Sequence, residues 1–249
     1  MSAHGQPAFR RVMSAVAKKV KGPGYEIDPT LPMRGYLSIV SRRAMAAGRG
    51  LVRGVTHSAH PQGWVFLGRD VELRNRHLVH FGRGVTIGRG CVIDGLSREG
   101  VTLGDGVSIG PYCIIEATGV ITNLGAGCRV GDRSALGSFS FVGAAGGVQI
   151  GSDVIMGNRV SFHSENHRFD DLDRPIREQG VTRLGITIGD DCWVGANVAF
   201  LDGAQVGKGS VIAAGSVVRG EIPPFSVAAG VPAKVIRSRL TNNLNQNDA

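Results

Sequence analysis

Three features of the 249-residue sequence predict a mainly β solenoid built from short strands and tight turns. Glycine is abundant: 38 residues, about twice the ordinary ~7%. Aromatic residues are scarce, at 6%, which argues against a conventional core of large rings. Above all, a bulky apolar residue returns every six positions. A period of six is neither the 3.6 of a helix nor the 2 of strand alternation. It is a short strand plus a turn, repeated, and three such units close one triangular coil of a parallel β-helix.

The chain opens on a different composition. Residues 1–53 hold ten basic side chains and two acidic ones, Glu26 and Asp28, which accounts for the whole net charge of +8. The remainder is neutral. Residues 1–60 are accordingly set apart as a basic, partly helical N-terminal segment. Phe9, Val12, Met13, Val16 and Val20 fall on one face at 100° per residue, with Arg11, Lys18 and Lys21 opposite. A link from Gly22-Pro23-Gly24 to Pro32 reads as a loop. Met33, Tyr36, Leu37, Val40, Ala44, Ala47 and Leu51 form a second stripe, opposite Arg42, Arg49 and Arg53. Two readings stand side by side. One is a basic amphipathic element on an anionic membrane surface, a peripheral contact through residues 1–53. The other is helices packed on the body with a solvated basic side. Nucleic acid is not an expected partner, because aromatic side chains do not interleave with the charges.

The repeat occupies residues 61–237. Its apolar positions read Leu67, Leu73, Val79; Ile87, Ile93; Leu103, Ile109, Ile115, Ile121; Leu124, Val130, Leu136, Val142; Ile150, Met156, Phe162; and Ile188, Val194, Phe200, Val206, Ile212, Val218. The count predicts roughly seven coils. Each coil buries apolar surface only against its neighbours, so the stack is one solenoid. Cys91, Cys113, Cys128 and Cys192 each lie four residues after a bulky position, in a slot that elsewhere holds Ser134, Ser140, Val154, Val160, Val198, Ala204, Ser210 and Ser216. They are read as reduced core residues rather than disulfide partners or metal ligands, consistent with a cytoplasmic location. Residues 238–249 read as a polar tail. Apolar residues make up 42%, which excludes a disordered chain. No run approaches the length of a membrane-spanning helix, and no signal-like apolar run stands near the start, so secretion is not expected.

One long break interrupts the repeat, at residues 163–185 between Phe162 and Ile188. It is polar and charged, and long ordered loops are usually functional. Within it stand Asn166-His167-Arg168-Phe169-Asp170-Asp171 and Arg174-Pro175-Ile176-Arg177-Glu178-Gln179-Gly180, followed by ITIGDDCWVGANV. The chain later reads Ile222-Pro223-Pro224 and AGVPAKVIR over 229–237. These strings resemble the maltose/galactoside O-acetyltransferase group of hexapeptide-repeat acyltransferases, and polysaccharide-biosynthesis acetyltransferases. The repeat alone extends that resemblance over about residues 64–236.

The resemblance implies a left-handed coil, acetyl-CoA as co-substrate, no required metal, and a homotrimer with its site between neighbouring solenoids. His167 corresponds to the catalytic histidine. Its imidazole suits the task, since an alcohol needs a base to attack a thioester near neutral pH. Glu165, Asp170 and Asp171 are the carboxylates that could orient its ring. His163, Glu165, Asn166 and Asp170 are candidates for binding the acceptor. Ala196 and Ala214 match small positions beside the pantetheine arm, and Arg219, Lys234 and Arg237 match the end that holds the nucleotide part. Gly220 stands where relatives can carry a cation. Trp193 is read either as a neighbour of the site or as core. The sugar-binding residues of galactoside-type enzymes would fall near 137–145, here GSFSFVGAA, with only Ser138 and Ser140 polar. The expected acceptor is therefore a sugar hydroxyl of a surface polysaccharide or glycan, lipid-linked if the basic head seeks membrane. Two other classes are weighed: a non-catalytic β-helix scaffold, and a γ-type zinc carbonic anhydrase using His163, His167 and either His77 or His80.

Overall fold

The computed structural model describes residues 28, 30–55, 63–117 and 119–240. The first apolar stripe, Phe9 to Val20, and residues 241–249 of the tail lie outside the described residues. The chain divides into two compact units, 1–45 and 46–249. A helix, α1, runs over Met33–Val52. Before it, the Asp28 carboxylate accepts from the Thr30 backbone N–H at 2.8 Å and the Thr30 hydroxyl at 2.6 Å. The predicted stripe on α1 is not a buried face: Leu37, Val40 and Leu51 are exposed, and only Gly50 is buried.

Residues 46–55 belong with the solenoid. Arg49 donates to the Leu67 carbonyl at 2.9 Å and Arg53 to that of Val71. Both cations stand on the basic side of the stripe. They satisfy carbonyls on the open edge of the first coil, where no preceding coil supplies N–H groups.

The solenoid is a parallel β-helix of three sheets. Each coil places one short strand in each sheet. The first face stacks Leu67, Ile87, Ile109, Leu136, Met156, Val194 and Ile212. The second stacks Leu73, Ile93, Ile115, Val142, Phe162, Phe200 and Val218. The third stacks Phe81, Leu103, Val130, Ile150, Ile188, Val206 and Ile222. The three columns share seven coils, as the repeat predicts, and the first gains an eighth member, buried Ala228, above Ile212. Apart from Leu73, which is partly buried, the bulky column residues are buried, and each such burial contributes about 1.5–3 kcal/mol. Phe162 and Phe200 stack with centroids 4.8 Å apart. After residue 230 the chain reverses, and Ala233–Ser238 pairs antiparallel with Ser226–Gly230, closing the upper edge of the first face.

Two stretches of the predicted register move. In the first coil a short 3-10 turn, Arg76–Leu78, lengthens the corner, so Phe81 rather than Val79 joins the column. Ile121 and Leu124 leave the repeat altogether. They belong to an antiparallel hairpin of Gly119–Val120 and Asn123–Leu124, with Ile121 at its exposed tip.

The turns set the composition. At Gly195 an added Cβ would stand 2.4 Å from the backbone nitrogen of Ala214 in the next coil. Coils approach this closely only where there is no side chain. All four cysteines are free and buried in the predicted slot. Burial alone pushes the Cys128 thiol up from an ordinary 9.0 to about 12. The unfolded thiol ionises first, so stability is full below about pH 9 and falls as pH rises toward 12. Urea midpoints at about pH 8 and about pH 10 measure the loss. The loss is expected to be smaller in Cys128→Val, a substitution its register partners Val101 and Val148 already exemplify.

Candidate active site

One corner of the triangle carries every long excursion. It joins the second face to the third. Residues 95–100 leave there from the second coil, 117–127 from the third and 164–185 from the fifth. The fourth coil crosses the same corner in four residues, 144–147, with the sequence Ala-Ala-Gly-Gly. Gly146 must be glycine, because its Cβ would lie 1.8 Å from the Ser164 carbonyl oxygen and 3.3 Å from the Arg183 Cα. The short corner lets the excursions above and below it meet.

The loop 164–185 is built on a hairpin. Asn166–His167 pairs antiparallel with Val181–Thr182, with His167 opposite Val181. The Arg168 N–H donates to Gly180 O at 3.0 Å, and Gly180 takes the positive φ of 81° that this return requires. Beyond the hairpin, Gln179 organises the tip. Its amide nitrogen donates to the carbonyls of Asp171 and Arg174 at 2.7 and 2.8 Å, and its amide oxygen accepts from the Asp171 N–H at 3.0 Å. Arg174 donates to Glu178 O at 2.7 Å. The loop thus has its own hydrogen-bonded order, with Asn166 and His167 exposed on it.

Its roots are fixed on three sides. The buried Ser164 hydroxyl donates to Gly143 O at 2.8 Å and accepts from the Gly146 N–H at 2.9 Å. Asp202, only 8% exposed, accepts from the N–H groups of Leu184 and Gly185 at 2.8 and 2.9 Å and from the Thr182 hydroxyl at 3.1 Å. Arg183 pairs with Glu165 at 2.7 Å. Sequence reasoning overlooked Ser164, Arg183 and Asp202. Asp202 is hidden inside the repeat as an ordinary turn residue, and Arg183 reads as one more charge in a polar loop.

The candidate residues divide between two corners. His163 ends a strand of the second face, its ring 5.7 Å from that of Phe141. Asn166, His167 and Asp170 are exposed on the loop. Of the three carboxylates, Glu165 is engaged by Arg183, and Asp171 accepts from the Asp173 N–H at 3.0 Å. Ala196 and Ala214 occupy successive coils at the corner between the first and second faces. Lys234 pairs with Ala229 at that same end of the first face, whereas Arg237 pairs with Val227 nearer the other end. Arg219 follows the last second-face strand and belongs to the His167 corner. Within one chain, Ala196, Ala214 and Lys234 share an edge, and the second face separates them from His167.

Three further residues are placed. Trp193 is outward, 60% exposed and flanked by Ile155 and Val211, not core. Ser140 faces the interior and donates to Gly137 O at 2.8 Å, so of the two polar residues in GSFSFVGAA only Ser138 faces outward. Beside it, exposed Phe139 stacks on Tyr112 with centroids 5.2 Å apart. His77 and His80 lie on the first coil, four coils from His163, a rise of about 19 Å at ~4.8 Å per strand. Among the described residues, no three His, Cys, Asp or Glu side chains gather as a metal site.

Residues 185–220 match the family described as bacterial transferase hexapeptide (six repeats). The matched residues lie within the solenoid, whose fold is the left-handed parallel β-helix. It is similar to a Mycobacterium tuberculosis protein named as a probable acetyltransferase, at 38% identity over 111 residues, 45% of this chain and 37% of that one. An Escherichia coli protein named for O-acetyl transfer in lipopolysaccharide biosynthesis is 29% identical over 172 residues, 66% of this chain and 74% of that one. Among solved structures, the N-acyltransferase AntD of Bacillus cereus, in complex with dTDP and 3-hydroxybutyryl-CoA, shares the fold with a TM-score of 0.50 at 15% identity, covering 80% of this chain and 95% of that one. The matched region spans well under half the length of the first curated relative.

Proposed function

We propose that the protein is an acetyl-CoA-dependent O-acetyltransferase that moves an acetyl group to a sugar hydroxyl, with His167 as general base. The observation that carries this reading is the loop itself: an Asn-His pair exposed on a hairpin whose roots are held by Ser164, Asp202 and the Glu165–Arg183 pair. Such a base needs exposure to the acceptor and a fixed position, and this arrangement supplies both. His167 accepts the proton of the sugar hydroxyl as its oxygen attacks the thioester carbonyl. The tetrahedral oxyanion collapses, the carbon–sulfur bond breaks, and the proton passes from His167 to the departing thiolate. Asn166 and Asp170 on the loop, and His163 at the end of the strand that precedes it, are acceptor-binding groups.

Acetyl-CoA brings the activated acetyl group. The groups present suit it: Ala196 and Ala214 are small side chains along one edge, Lys234 is a cation at the end of that edge, and Arg237 is a second cation on the same closing strand, nearer the other end of the first face. Arg219 stands apart from that edge and joins the nucleotide site only from a neighbouring copy. Since His167 and the Ala196–Ala214 edge flank opposite ends of one face, a site using both is completed between copies. That supports the homotrimer implied by the family resemblance. The relative named for lipopolysaccharide biosynthesis supports a surface polysaccharide or glycan as acceptor. Four buried, free thiols fit a cytoplasmic location. A peripheral membrane contact through residues 1–53 is supported by exposed Leu37, Ile39, Val40 and Met45 beside Arg34 and Arg42 on α1. No helix among the described residues is long and apolar enough to cross a membrane.

Calorimetric titration of acetyl-CoA and CoA, followed by thioester turnover with sugars, nucleotide-sugars and lipid-linked glycans, tests the reading. Binding with turnover of a sugar acceptor supports it. Absence of coenzyme A binding overturns it in favour of a scaffold.

A further inference from the structure

We propose that Arg183 is a positioning residue for His167, locking the His167 hairpin to the 119–124 hairpin across the shortened corner of the fourth coil. This rests on the acetyltransferase reading above. Arg183 stands two residues beyond Val181, the register partner of His167. Its side chain is only 15% exposed. Nε donates to Glu165 Oε2 at 2.7 Å, two residues before His167. Nη1 donates to the carbonyls of Asn123 and Leu124 at 3.0 and 3.2 Å. One guanidinium therefore holds three oxygens on two excursions: Glu165 lies 18 residues away on its own loop, and Asn123 and Leu124 lie 60 and 59 residues away on the other.

The chemistry of the contact is specific to arginine. A planar fork presents fixed donors to a carboxylate and to carbonyls at once, whereas an ammonium on a flexible stem does not. The Glu165 side chain is itself only 28% exposed. Removing either partner leaves the other a poorly solvated, unpaired charge, which drives the hairpin to rearrange. Glu165 is thereby committed to the clamp and does not orient the imidazole. It acts on His167 through the position of the hairpin. On the other side, Asp202 holds Thr182, Leu184 and Gly185. With that side fixed to the sixth coil, Arg183 sets how the hairpin leans toward the third. A general base displaced by about 1 Å costs on the order of 10²-fold in rate.

The test compares wild type with Arg183→Met, Arg183→Lys, Glu165→Gln and Glu165→Gln/Arg183→Met. It reads kcat, acceptor KM, acetyl-CoA Kd and amide hydrogen exchange. Arg183→Met is expected to lower kcat by about 10²-fold with the acetyl-CoA Kd unchanged. Arg183→Lys, which keeps the charge without the fork, recovers little of it and serves if the methionine variant unfolds. The double variant is no slower than Arg183→Met alone, because the two groups act as one unit. Exchange accelerates in both 119–124 and 166–182 while the solenoid strands keep their protection. Wild-type kcat in Arg183→Met, or faster exchange confined to 166–182, overturns the proposal. The exchange result is read without turnover, so failure of the clamp and failure of the acetyltransferase reading are separate outcomes.

Discussion

Replacing His167 by glutamine is expected to lower thioester turnover by about 10²–10⁴-fold, the range that a positioned general base contributes, with coenzyme A affinity unchanged. Glutamine keeps a polar side chain of similar reach but has no group that takes up a proton near neutral pH. The hairpin does not depend on the ring: its pairing runs through the backbone, and Arg168 N–H to Gly180 O closes it. The roots are held by Ser164, Asp202 and Arg183, none of which donates to or accepts from the imidazole. Thermal stability should therefore stay within about 0.5 kcal/mol of wild type, as for an exposed surface position. The edge formed by Ala196, Ala214 and Lys234 lies at the other end of the second face, which is why affinity and rate separate. Calorimetry and turnover on the same preparation check both halves. A variant that keeps its rate removes His167 from the mechanism.

Gly146→Ala is expected to destabilise the fold by about 3 kcal/mol, the upper range for inserting a methyl where there is no room. All three nearest atoms belong to backbone: Ser164 O at 1.8 Å, Ser164 C at 3.0 Å and Arg183 Cα at 3.3 Å. None can rotate away, so the fifth coil must lift from the fourth at the root of the His167 loop. The hydrogen bonds between Ser164 and both Gly143 and Gly146 go with it. Turnover should fall as well as stability, which distinguishes this position from a purely structural one. Gly48→Ala is the control. It lies in α1 with nothing within 4 Å of the added Cβ, and helix propensity alone predicts a gain of up to about 1 kcal/mol. Urea unfolding of the two variants should shift in opposite directions.

The solenoid was legible because its physics is local and repeated. Each coil needs one bulky residue per face and a small residue before it, and Leu67 to Val218 spell this out with few gaps. The register failed where an excursion happened to keep six-residue spacing. Ile115, Ile121 and the step from Leu124 to Val130 mimic the repeat, while the chain between them turns back on itself as a hairpin. Nothing in the spacing distinguishes the two. His167 was legible through the company it keeps in the loop. The groups that hold it were not, because their partners are backbone atoms far away in sequence. The Arg183 acceptors are the carbonyls of Asn123 and Leu124, and Asp202 serves the N–H groups of Leu184 and Gly185. Backbone acceptors leave no mark in the pattern of side chains. The contacts of Arg49 and Arg53 were illegible for the same reason. Their partners are the carbonyls of Leu67 and Val71, and composition alone presents them as solvated charge.

The crowding of all long excursions onto one corner bears on how such a chain can diversify. Coil-to-coil contact leaves the other two corners no room for insertion, so new loops accumulate along a single edge. There they are not independent modules. A loop tip of different length grafted in place of 168–180 inherits Arg183, a guanidinium whose two carbonyl acceptors belong to the hairpin two coils below. Retargeting this protein by loop exchange therefore requires transplanting both excursions together, with the four-residue Ala-Ala-Gly-Gly gap between them.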